Sequence, residues 1–83
     1  MDDADLRQAV AECVRCAFVT TGQRCTCTRR VVVHAAVAER FIAAFVSCAR
    51  SITVGAGDAE PAPFMGPLVS REARDAVLRA QSA

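Results

Sequence analysis

The sequence predicts an α/β unit running helix, loop, strand, helix, long loop, helix. Three observations carry that prediction. Apolar residues recur at three- and four-residue intervals over Asp5–Val19 and again from about Val37 to Ser51. Between these stretches lies Arg30-Val31-Val32-Val33-His34, a continuous β-branched run without alternation, as suits a strand covered on both faces. After the second stretch the chain turns rich in glycine and proline before a last helical pattern begins.

In the first helix Leu6, Ala9, Val10, Cys13, Cys16 and Ala17 form the apolar stripe, with Arg7, Gln8, Glu12 and Arg15 opposite. Asp2, Asp3 and Asp5 cluster at its start, where negative charge is favourable and an Asp can cap free amides. Thr20-Thr21-Gly22 stop the helix, and Gln23 to Cys27 pass as a loop. The second helix aligns Val37, Phe41, Ala44, Phe45, Cys48 and Ile52 on one side. Thr53 to Pro67 read as a surface loop, and Ser70 is the expected N-cap of a last helix striped by Ala73, Ala76, Val77 and Ala80. One strand cannot satisfy its own backbone, so this reading requires sheet partners from chain outside these residues.

Composition points the same way. Hydrophobic residues make up 53% of 83 residues, a share high for so small a chain, so part of the apolar surface is expected to lie against something else. The net charge of +1 and the absence of a basic run argue against nucleic acid or anionic membrane as partner. No apolar stretch reaches the roughly 18 residues of a membrane span, and no signal-like start is visible, so a cytoplasmic location is expected. Isolated, such a chain is expected to be marginally folded or self-associating.

Five cysteines without an export signal are expected to be reduced, not a disulfide framework. Cys13-x2-Cys16 with Cys25-x-Cys27 invites a zinc reading, but the first pair lies on a helix stripe and too few residues separate the pairs, so no metal is expected. Packing is the expected role of Cys13, Cys16, Cys48 and Cys27. Cys25 lies among Gln23, Arg24, Thr26 and Thr28, a polar setting beside a cation, and from the residues alone it reads either as a nucleophile or as a small buried hydrophobe. His34 reads as a surface residue, and Arg24 either as a partner for a substrate carboxylate or as a solvated loop residue.

The string Phe18-Val19-Thr20-Thr21-Gly22-Gln23-Arg24-Cys25-Thr26-Cys27-Thr28-Arg29 resembles the active-site cysteine signature of aldehyde dehydrogenases. The Gly22-to-Cys27 wording, with Arg29-Arg30 and the valines behind it, is most similar to the branch that oxidises succinylglutamate semialdehyde in bacterial arginine breakdown. The resemblance continues through Val54-Gly55 and Met65-Gly66-Pro67-Leu68-Val69-Ser70, covering essentially the whole chain.

That resemblance implies a segment, residues 1–83, of an α/β catalytic domain. It makes Cys25 the nucleophile, Arg24 and Thr26 substrate-binding residues, and the Cys25 backbone N–H part of the oxyanion hole. It implies an NAD- or NADP-dependent oxidation of a small aldehyde in a homo-oligomeric complete enzyme. The general-base Glu, the oxyanion-hole Asn, the nucleotide-binding domain and the oligomerisation strands of the family fall outside these residues. The segment alone is therefore expected to bind no cofactor and to be inactive. The rival reading is a noncatalytic, truncated α/β interaction module that uses its exposed helix faces to bind a partner.

Overall fold

Asp5 opens the first helix. In the computed structural model, which describes residues 2–83, its carboxylate accepts the Gln8 N–H at 2.9 Å, and α1 runs Leu6–Phe18. A 3₁₀ turn, Val19–Gly22, follows directly. The second helix, α2, spans Ala35–Arg50, starting two residues earlier than the apolar pattern suggests. The reason is His34, whose Nδ1 accepts the Ala36 N–H at 3.2 Å and so acts as an N-cap. The third, α3, spans Arg71–Ser82, and the Ser70 hydroxyl accepts the Ala73 N–H at 3.2 Å as its residue type predicts.

Helices α1 and α2 pack against each other around Val10, Val14 and Phe41. Leu6, Cys13, Phe18, Phe45, Cys48 and Ile52 close in around that centre. Phe45 bridges the aromatic pairs, with ring centroids 6.2 Å from Phe18 and 6.0 Å from Phe41. Cys13 and Cys48 thus belong to the core, but Cys16 is exposed. At about 100° per residue Cys16 lies some 120° round the helix from Val10, beyond the edge of the stripe, whereas Val14, about 40° from Val10, is buried beside it. Helix α3 packs against neither of the others among the described residues.

The α/β class expected from the sequence is overturned: the chain is helical and, among the described residues, contains no β-strand. Arg30 to His34 runs without a ladder partner, and Val32 is 100% exposed while Val33 leans on the helical core. β-branched residues favour extended backbone, but a strand exists only where a second one takes its hydrogen bonds, and nothing among the described residues does so. The one β-bridge among the described residues lies instead inside the long loop, where Val54 pairs in parallel with Met65. The Gly55 N–H reaches the Met65 carbonyl at 3.2 Å and the Phe64 N–H the Thr53 carbonyl at 3.0 Å, pinching the base of the loop. Among the described residues, no helix is long and apolar enough to cross a membrane.

Candidate active-site loop

The end of α1 breaks abruptly. Thr20, Thr21 and Gly22 take φ values of 52°, 59° and 70°, three consecutive left-handed residues. For β-branched threonine this is a sparsely populated and costly conformation, one that persists only where the surroundings hold it in place. Gly22 is the residue the geometry requires, because a Cβ there would stand 3.1 Å from the Ala17 carbonyl oxygen as well as at positive φ.

Four contacts hold the loop that follows. The Gln23 N–H donates to the Thr20 carbonyl at 3.1 Å. The Arg29 guanidinium donates to the Gly22 carbonyl at 2.9 Å, so the residue leaving the loop clasps the residue entering it. The Thr28 N–H donates to the Cys16 carbonyl at 3.1 Å, tying the loop to the last turn of α1. Cys27 is 8% exposed, with its thiol 3.9 Å from the Val19 carbonyl.

Within this frame the Cys27 N–H donates to the Arg24 carbonyl at 3.2 Å, which makes Arg24–Cys27 a β-turn with Cys25 and Thr26 at its two corners. Cys25 is exposed, and its backbone N–H has no partner among the described residues. The turn thus sets an exposed thiol and a free amide on one residue in fixed relation. Behind the turn lies a hollow of about 280 Å³ lined by Arg24, Thr26, Cys27, Cys16, Glu12 and Arg15, among others. Arg24 and Thr26 therefore come together at one cavity, whereas Cys25 is not among the residues lining it. Arg24 forms no ion pair among the described residues; the one salt bridge there joins Arg74 to Asp75.

A sequence model of the aldehyde dehydrogenase family matches residues 1–83. The chain belongs to the aldehyde dehydrogenase family. Among curated proteins, the N-succinylglutamate 5-semialdehyde dehydrogenase of Chromobacterium violaceum is 47% identical over 79 residues, covering 94% of this chain and 16% of that protein. The enzymes of the same name from Acinetobacter baylyi and Hahella chejuensis are 41% and 44% identical over 81 and 79 residues, covering 96% and 94% of this chain and 17% and 16% of theirs. The chain thus spans about a sixth of the length of the curated relatives it matches.

For an aldehyde dehydrogenase segment, two features of the loop went unread in the sequence. Arg29 was placed only as part of the signature, yet it is the side chain that spans the loop's base. The left-handed run at Thr20 and Thr21 had no residue signal beyond the following glycine, since threonine ordinarily avoids that region.

Proposed function

We propose that this chain is the nucleophile-bearing segment of an aldehyde-oxidising enzyme, with Cys25 attacking the aldehyde carbon. The observation that carries this proposal is the turn at Arg24–Cys27, which presents the Cys25 thiol outward beside its own unpartnered N–H. Attack of the thiolate forms a carbon–sulfur bond and turns the carbonyl oxygen into an oxyanion, which the Cys25 N–H is placed to stabilise. Loss of a hydride from that thiohemiacetal and hydrolysis of the resulting thioester complete the oxidation to a carboxylate.

Residues 1–83 stand in this proposal as one part of the catalytic domain, with the nucleotide-binding domain and the general base supplied by other parts of a complete, homo-oligomeric enzyme. The hydride acceptor of the family is a nicotinamide dinucleotide, NAD or NADP, and the residues present do not fit it. All three helix N-termini are closed by Asp5, His34 and Ser70, so none is an open seat for a pyrophosphate. The contribution of this chain therefore ends at the covalent adduct, and alone it is expected to be inactive.

The proposed substrate is succinylglutamate semialdehyde, after which the related enzymes are named, handled in the cytoplasm. Arg24 and Thr26 suit it: a guanidinium and a hydroxyl on one hollow can take a substrate carboxylate. The test joins these 83 residues to the flanking segments of the Chromobacterium violaceum relative. Oxidation of succinylglutamate semialdehyde by the purified chimera supports the proposal. A folded, cofactor-binding chimera that leaves the aldehyde untouched contradicts it.

A further inference from the structure

We propose that Cys16 and Cys27 form a reversible disulfide that locks the loop carrying Cys25 onto the end of α1. Cys16 is the helix cysteine turned away from the core, exposed where Cys13 and Cys48 pack against it. It lines the same hollow as Cys27. The backbones are already joined at this point, because the Cys16 carbonyl accepts the N–H of Thr28, the residue after Cys27, at 3.1 Å. With the backbones this close, the Cys16 and Cys27 Cα atoms can meet within the range of about 4.4–6.8 Å that a disulfide spans.

The Cys27 thiol is free to make the change. Its contact with the Val19 carbonyl, at 3.9 Å, is the weak kind a thiol makes, so little opposes its turning toward the hollow. Cys25 does not line that hollow and stays outside the pairing as a free thiol. The ring closed by the link would contain the left-handed run Thr20-Thr21-Gly22 and the turn that presents Cys25.

A peroxide supplies the oxidising power. The Cys16 sulfur attacks one oxygen of hydrogen peroxide, the O–O bond breaks, and a sulfenic acid and one water result. The Cys27 sulfur then attacks the Cys16 sulfur, the S–S bond forms, the S–O bond breaks and a second water leaves. Two thiols lose two electrons and two protons, the peroxide becomes two waters, and a dithiol reductant reverses the link. The pairing is independent of the proposed activity, so the two stand or fall separately.

The test treats the 83-residue chain with hydrogen peroxide, blocks free thiols with iodoacetamide and maps linked peptides without reduction, cleaving after Arg15, Arg24 and Arg29. The expected result is a major Cys16–Cys27 linkage that leaves Cys25 unlinked, reversed by dithiothreitol and absent in Cys27→Ser but present in Cys25→Ser. In strong denaturant the pattern should shift to the sequence neighbours Cys25–Cys27 and Cys13–Cys16. A major linkage through Cys25, only intermolecular links, no linkage, or a Cys16–Cys27 yield unchanged by denaturant would each overturn the proposal.

Discussion

The Arg29 guanidinium and the Gly22 carbonyl meet at 2.9 Å and close the loop that carries Cys25 at its base. This contact links the left-handed exit from α1 to the far side of the turn, so Arg29 holds together the ends of the loop that presents Cys25. Arg29→Ala removes a charge-assisted hydrogen bond at an exposed site and is expected to cost about 1 kcal/mol of loop stability. Competitive alkylation followed by mass spectrometry should then find Cys27 labelled faster relative to Cys25, with Arg29→Lys in between. Unchanged labelling ratios would mean the clasp does not hold the loop.

Gly22 is expected to be the least replaceable of the four glycines. Gly22→Ala places a methyl group 3.1 Å from the Ala17 oxygen at a φ of +70° and should destabilise by about 1–2 kcal/mol or more. A Cβ at Gly57 meets nothing within 4 Å, so Gly57→Ala should change stability by no more than about 0.5 kcal/mol. Denaturation of the two variants side by side, followed by far-ultraviolet circular dichroism, makes the comparison. Equal effects would remove the strained turn from the account.

The helix pair rests on very little buried surface. Val10, Val14, Cys27 and Phe41 are the buried hydrophobic residues among those described, and none is fully enclosed. Phe41→Ala should cost about 3 kcal/mol or more, enough to remove most of the helical signal from a chain this size. The unaltered chain should itself melt over a broad range. A sharp, concentration-independent transition from a monomer would show that the helices need no further partner.

Acid is expected to loosen α3. Hydrogen bonds from its own backbone N–H and from the Ser70 hydroxyl hold the Glu72 carboxyl below its ordinary value of 4.5. A carboxyl lowered in the folded state stabilises that state above its unfolded value and loses the contribution as pH falls through the folded one. Helicity should therefore be level near neutrality and decline only as pH drops below about 4.5, and Glu72→Gln should flatten the decline. A titration identical in the variant would contradict this role.

Helix positions were legible because they depend on residues close in sequence. Asp5 and Ser70 announced two helix starts, and Phe41, Phe45 and Cys48 fell on the stripe that packs. The valine run was misread because extended backbone is a local preference, whereas a strand depends on a partner that no residue from Arg30 to His34 can specify. The exposure of Cys16 was missed by a rotation within one helix turn, and the bridge between Val54 and Met65 by the distance between its two ends. At the site, the signature singled out Cys25, Arg24 and Thr26 as candidates, but the division between the hollow and the exposed thiol arises from how the turn is folded.

The central claim is that Cys25 is the nucleophile, and cysteine-to-alanine variants of the complete chimera measure it most directly. Cys25→Ala should abolish aldehyde oxidation while leaving folding and cofactor binding intact. Cys13→Ala and Cys48→Ala should lose about 1 kcal/mol of stability each from the core around Val10 and Phe41 and keep their activity. Cys16→Ala, at an exposed position, should change neither. Activity retained in Cys25→Ala, or lost in a folded Cys27→Ala alone, would contradict the assignment.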